Sequence, residues 1–169
     1  SPSGQAVRPT SEKVKEAVFS MIQFELEGSV FLDLFAGSGQ MGIEALSRGA
    51  RRAFFVDQSQ ESLSVIAKNL DATGLAAEAR VTGGDAGAFL SQTGEVFDLA
   101  YLDPPYREGE LERLMELLAR RMRPGGAILC ESDARTAMPQ RAGGWEIDRQ
   151  KRYGRTVVTL YRSAEEEKE

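Results

Sequence analysis

The chain has no histidine and a single cysteine, Cys130. Without histidine there is no Ser-His-Asp or Cys-His catalytic pairing and no imidazole-ligated metal. One cysteine rules out an intramolecular disulfide and any thiolate cluster. Set in the apolar stretch AILCES, Cys130 reads as a small buried hydrophobe. No apolar run approaches the ~18 residues of a membrane span, and no signal peptide opens the chain. The chemistry left to this chain belongs to carboxylates, backbone groups, Tyr, Lys or a bound cofactor.

What is present is the composition of a globular domain: 169 residues, 41% apolar and 28% charged, with 17 glycines. Residues 1–7 are expected to be a leader outside the fold, 8–162 a single domain, and 163–169 an acidic disordered tail. The net charge of −5 is unevenly spread. Between 141 and 162, Arg141, Arg149, Lys151, Arg152, Arg155 and Arg162 face only Glu146 and Asp148, a local excess of +4. Such a patch attracts polyanions whatever the total charge, although a solvated charged face would look the same.

Helical spacing of Val14, Ala17, Val18, Met21 and Ile22 predicts a helix over roughly 11–26. From 30 to 131 strands and helices alternate. VFLDLF (30–35) leads through a glycine-rich loop to a helix ending near Ser47; RAFFVD (52–57) is followed by a helix from Ser59 to Ala72. EARVTGGD gives a third strand and a short helix near 86–91. FDLAYLD is the fourth strand, with a helix near 108–121 that stops at Arg123-Pro124-Gly125-Gly126, and AILCES is the fifth. Two strands around a turn at Tyr153-Gly154 close the chain. The strands are continuously apolar, which predicts a parallel sheet covered on both faces, with an antiparallel hairpin at one edge.

Ligands of open α/β sheets bind at the carboxyl ends of the strands. Asp33, Asp57, Asp85 and Asp103 stand at or near the ends of strands one to four. Gly37-Ser38-Gly39-Gln40-Met41-Gly42 is a G-x-G-x-x-G, and Asp57 follows Gly37 by 20 residues, the spacing of a nucleotide-binding fingerprint. A tight strand-to-helix turn needs glycine for structural reasons too, and a strand-end Asp is often a helix cap. A dinucleotide would bring two phosphate charges against four carboxylates. S-adenosylmethionine is cationic and matches an acidic rim, with Asp33 near its ammonium, Asp57 on the ribose hydroxyls and Asp85 near the adenine amine.

Asp103-Pro104-Pro105-Tyr106 ends strand four. The prolines fix φ and restrict the residues before them, so the segment is a rigid presenting turn. Methylating an amine conjugated to a ring requires localising its lone pair. The Asp103 carboxylate and Pro104 carbonyl are an acceptor pair for the two N–H bonds, held in aim by the prolines, and Tyr106 offers a face for stacking. Acceleration would come from alignment and preorganised acceptors.

DPPY matches the (D/N/S)PP(Y/F) motif of amino-group methyltransferases that use S-adenosylmethionine. With RPTSEKVKEAVFSMI, LDLFAGSGQMGIEALSRGA and DLAYLDPPY in order, the chain resembles the bacterial 16S ribosomal RNA guanine-N2 methyltransferases from about Arg8 to Arg162. The resemblance implies a Rossmann-like, seven-stranded class I methyltransferase fold and a cytoplasmic enzyme; no metal is expected, and nothing in the residues demands more than a monomer. It also implies 16S rRNA as partner, with a guanine exocyclic amine as acceptor, and the need to unstack that base makes a 30S assembly particle the expected substrate. Arg8, Pro9 and Thr10 would then close the pocket over the methionine end, although Pro9 and Thr10 also suit a helix start. The expected cofactor-binding set is Arg8, Thr10, Asp33, Phe35, Gly37, Gly39, Asp57 and Asp85; the catalytic set is Asp103, Pro104, Pro105 and Tyr106.

Family members usually begin with a basic β-hairpin ahead of RPT, whereas seven residues precede Arg8 here. RNA contact is therefore expected to fall on Arg51, Arg52 and the basic stretch at 149–155. A target guanine must leave its stack to reach Asp103, which favours an accessible loop over a duplex. DPPY also serves adenine or cytosine amines in DNA and the amide of protein glutamine. From other classes, a cofactor- or RNA-binding assembly factor without turnover and a Mg²⁺ site are the rivals.

Overall fold

A computed structural model describes residues 11–103 and 109–164. Its elements, in chain order, are α1 (Glu12–Met21), β1 (Val30–Leu34), α2 (Gln40–Ser47), β2 (Arg52–Asp57), α3 (Gln60–Thr73), β3 (Ala79–Gly83), α4 (Ala86–Gln92), β4 (Phe97–Leu102), α5 (Glu110–Ala119), β5 (Met122–Asp133), β6 (Arg141–Ala142), β7 (Trp145–Tyr153) and β8 (Thr156–Ser163). They form one sheet in the order β3-β2-β1-β4-β5-β8-β7-β6. The first five strands are mutually parallel, β8 is antiparallel to β5, and β7 is antiparallel to β8. Strand β7 therefore points the same way as the parallel set, and its end reaches the same carboxyl edge.

All five residues of β1 are buried, because helices cover both faces and leave no side of the strand to water. Alternate residues still divide between two cores. Phe31 packs with Val14, Val18 and Phe19 of α1, Met41 and Ala45 of α2, and Ile66 and Leu70 of α3. Val30, Leu32 and Leu34 pack with Leu90 of α4 and Leu111, Leu114 and Leu118 of α5. Each fully buried side chain of this size contributes roughly 1.5–3 kcal/mol of transfer free energy, so the two cores hold the helices against the sheet.

Among the described residues the sheet has eight strands, correcting the expected seven. The additional strand, β6, is two residues long and pairs with Glu146 and Trp145 of β7, too short to carry a periodicity. Helix α1 stops at Met21, well short of residue 26, because Ile22 leaves helical geometry (φ −120°) and the chain turns, with the Glu25 N–H donating to the Ile22 carbonyl. Arg123–Gly126 lie within β5 rather than only stopping a helix. There the β4–β5 register jumps from Phe97–Met122 to Leu99–Ala127. A Cβ at Gly126 would fall 2.1 Å from the Asp98 carbonyl oxygen, so that position has room only for glycine.

Helix α1 runs beside α2. Lys15 lies 3.6 Å from Glu44, Arg48 lies 3.5 Å from Glu16, and the Arg48 guanidinium sits 4.9 Å above the Phe19 ring. The contacting positions are offset by 29 to 32 residues, which brings the start of α1 near the loop that opens α2. Arg51 and Arg52 stand at the opposite, amino edge, with Arg52 about 17 Å from Asp57 at ~3.3 Å per strand residue. Any RNA contact they make would therefore lie away from the carboxyl edge.

Candidate active site

The glycine loop is a turn in which each glycine has a separate reason to be there. After Leu34 the chain bends at Phe35, the one non-glycine with positive φ among the described residues (66°). Its backbone strain at this place is held by neighbours, since the Ala36 N–H donates to the Val56 carbonyl at 2.9 Å. Gly37 has φ 58° and open space where a Cβ would point, so its backbone can be approached closely. Gly39, with φ 81°, caps α2 without a side chain. Gly42 is set by packing: a Cβ there would lie 2.4 Å from the Phe55 ring. From α3, the Asn69 amide donates to the Ser38 carbonyl at 3.0 Å and pins the loop from behind.

Three of the four strand-end aspartates are fixed by backbone hydrogen bonds. Asp33 is 1% exposed, and its Oδ2 accepts the Gly42 N–H at 2.9 Å, supplying from β1 the cap that Gly39 cannot. Burial raises the Asp33 carboxyl to about 8; the Gly42 N–H opposes this, and the charges of Asp57 and Asp103 add to it. Asp57 accepts the Gly37 N–H on Oδ2 at 2.8 Å and the Ser59 N–H on Oδ1 at 2.9 Å, tying β2 to the loop. Asp85 caps α4 through the Ala88 N–H at 2.9 Å and accepts from the Gln58 amide at 3.4 Å. Each carboxylate oxygen has two lone pairs, so these bonds leave acceptor capacity for a ligand.

Asp103 follows β4 and is exposed at the same edge. Pro104, Pro105 and Tyr106, like Arg8, Pro9 and Thr10, lie outside the described residues. Phe35, Gln58 and Asp85 line one end of a groove of about 570 Å³ that continues between α4 and α5 past Leu114, Leu117 and Arg120. Among the described residues, no three His, Cys, Asp or Glu side chains gather closely enough to share a metal ion, and no helix is long and apolar enough to cross a membrane.

Four residues escaped sequence reasoning. Asn69 and Gln58 support the loop and Asp85, and nothing in their spacing marks them. Tyr101 is buried on β4, paired in register with Asp33, and its hydroxyl donates to the Glu131 carboxylate of β5. Glu131 is half-buried, and burial pushes its carboxyl up, with the Tyr101 hydroxyl opposing. As the one charge in AILCES, at a strand's carboxyl end, it could have been found by the rule that picked out the aspartates.

The β7–β8 hairpin closes through Gly154 and Arg155 at the active edge, where the Ala134 N–H donates to the Arg155 carbonyl at 2.7 Å. Arg149, Lys151 and Arg152 are exposed on β7, and among the described residues no carboxylate forms a salt bridge with them. The Arg152 guanidinium donates to the Gly154 carbonyl at 2.7 Å.

Relatives of known sequence and structure share this architecture. The chain is 38% identical to the Bacillus subtilis protein YlbH over 167 residues, covering 95% of this chain and 90% of that one. It is 34% identical to the ribosomal RNA small subunit methyltransferase D of Escherichia coli strain K12, covering 95% and 81%. An RNA methyltransferase from Salinibacter ruber, solved with S-adenosyl-L-homocysteine, superposes with a TM-score of 0.70 over 90% of this chain and 91% of that one; at 18% identity it shows the shared fold alone. Strand order, the hairpin and the glycine loop are those of the class I methyltransferase fold, and the sequence profile described as conserved hypothetical protein 95 matches residues 1–162: the chain belongs to that family.

Proposed function

We propose that the protein transfers a methyl group from S-adenosylmethionine to the exocyclic N2 amine of a guanine in small-subunit ribosomal RNA. One observation carries the reading: four strand-end aspartates and a glycine loop with an open backbone share one edge, an acidic site suited to a cationic cofactor. The rRNA methyltransferase D of Escherichia coli supports the acceptor class, and the S-adenosylhomocysteine bound by the Salinibacter neighbour supports the cofactor.

The residues present suit that cofactor. Asp33 is a buried carboxyl beside the loop whose ionised form a ligand ammonium would favour. Asp57 retains lone pairs for ribose hydroxyls, and Asp85 and Phe35 stand where the groove would receive the adenine. The cofactor supplies an electrophilic methyl; the protein's part is to hold and orient the amine. Asp103 would accept one N–H of the amine, the Pro104 carbonyl the other, and Tyr106 would stack on the ring. As the nitrogen gains the methyl from the sulfonium, leaving a neutral thioether, it must lose one proton; Asp103 would stabilise the charge that develops and pass that proton to water.

The grip on RNA is assigned to the β7–β8 hairpin, whose exposed Arg149, Lys151 and Arg152 run toward this edge. A scattering of Lys and Arg along a sheet edge also protects against edge-to-edge association, so the assignment rests on position and sign together.

The test is transfer of labelled methyl to 30S particles from a strain lacking its own enzyme, to naked 16S rRNA and to DNA, with the modified nucleoside identified after digestion. N2-methylguanosine in 16S rRNA is expected, and Asp103→Ala should lower turnover by roughly 10²–10³-fold, the scale of removing one electrostatic partner of a transition state, with cofactor binding intact. A pure assembly factor would show no transfer and would tolerate the substitution.

A further inference from the structure

The reaction needs more than an acceptor for the amine, because adenine and cytosine also carry one. Guanine alone among these bases places an N1–H directly beside its N2 amine, so two adjacent donors face the same way. A site that reads this edge needs two acceptors side by side, and the carboxyl edge supplies a second one next to Asp103.

That second acceptor is Glu131. In the β4–β5 ladder Tyr101 is paired with Leu129 and Leu102 with Cys130, so Asp103 and Glu131 are the next positions outward on adjacent strands, about 4.8 Å apart in strand spacing. Both belong to the α1–α3 side of the sheet. The Tyr101 hydroxyl, on that side, reaches Glu131, and Asp103 acts electrostatically on Asp33, which faces α2 from the same side. Glu131 is half-buried rather than sealed, so a ligand can reach it. A carboxylate has about four acceptor sites and can serve several donors at once, and the Tyr101 hydroxyl, one of the partners of Glu131, fixes the carboxylate's direction.

We infer that Glu131 is the residue that selects guanine, accepting the N1–H of the target base while Asp103 holds its N2 amine. Adenine presents a lone pair at N1 and would meet the carboxylate with repulsion. The inference rests on the guanine-N2 reading above. The bland alternative is that Glu131 only anchors Tyr101, a buried phenol that needs a partner.

The two are separated by a base analogue. 2-Aminopurine keeps the exocyclic amine at C2 but has no N1–H. Ligated 16S rRNA carrying guanine or 2-aminopurine at the modified position is assembled into 30S particles and methylated by wild type and Glu131→Gln, with cofactor affinity and Tm as folding controls. Wild type is expected to prefer guanine strongly. Glu131→Gln should lower kcat/KM on guanine by roughly 10–100-fold, the scale of one hydrogen bond to a charged group. It should also raise the relative rate on 2-aminopurine, because the carboxamide can donate to the bare N1. An equal loss on both bases, with the preference ratio unchanged, overturns the proposal and leaves the anchoring role. Absence of N2-methylguanosine from wild type, with cofactor bound, overturns the guanine reading and this inference together. Should Glu131→Gln not fold, Glu131→Asp keeps the charge but withdraws it by one methylene. Loss on guanine without gain on 2-aminopurine then supports the proposal, and an unchanged ratio sinks it.

Discussion

A carboxylic acid raised to about 8 by burial, next to a loop expected to receive a cation, links pH to both folding and binding. Between the ordinary 3.8 and about 8 the folded protein keeps a proton on Asp33 that the unfolded chain has released. Stability of the ligand-free protein therefore falls as pH rises through that window. The Tm of wild type should decline from pH 4 to pH 8 relative to Asp33→Asn, which keeps an acceptor for the Gly42 N–H but cannot ionise. S-adenosylmethionine, whose ammonium favours the ionised form, should release a proton from Asp33 on binding at pH 6.5. Titration calorimetry in two buffers of different ionisation enthalpy reads that release. Binding without it would place the ammonium elsewhere, and Asp33→Asn should weaken binding roughly 10- to 100-fold if it is the partner.

At the scale of elements, helix α2 lies against β2 with no spacer, because Gly42 faces the Phe55 ring. Gly→Ala inside an exposed helix normally stabilises by ~0.5–1 kcal/mol. Here a Cβ 2.4 Å from a fully buried ring must push the helix or the ring aside, and overpacking of that kind costs ~1–3 kcal/mol. The second effect wins, so Gly42→Ala should be net destabilising in urea unfolding; a stabilised variant would mean that the packing is looser than it looks. The same packing explains what was legible in advance. G-x-G-x-x-G between a strand and a helix announced the turn, and the apolar strands announced a covered parallel sheet. Length and extent were harder to read. Ile22 continues the apolar spacing of α1 yet is already outside it, because its place in the core is reached from a turn. Arg123-Pro124-Gly125-Gly126 read as punctuation and is instead the bulged start of β5, where β4 passes too close for any side chain at Gly126. Glu131 was within reach of the strand-end rule as the one charge in AILCES, but its link to Tyr101 is visible only once β4 and β5 are paired.

For the whole molecule the balance of charge is the deciding quantity. The chain carries −5 overall, so approach to RNA depends on where its cations stand. Reversing Arg149, Lys151 and Arg152 to Glu should abolish RNA methylation and leave cofactor binding unchanged. The slope of log affinity against log salt should fall by roughly 2–3, about 0.7–0.9 for each phosphate that is no longer neutralised. Unchanged activity would remove the hairpin from the RNA interface. The sheet order has another consequence, for synthesis of the chain. The first strand of the described residues, β1, sits in the middle of the sheet, with β2 and β4 as its neighbours and all five of its residues buried. On the ribosome it must wait until β4, ending at Leu102, has been made before both of its sides are paired. At about 5–20 residues per second that is an interval of about 3–14 s in which VFLDL has an open flank, and a chaperone that binds short apolar stretches of nascent chain would find its best target there.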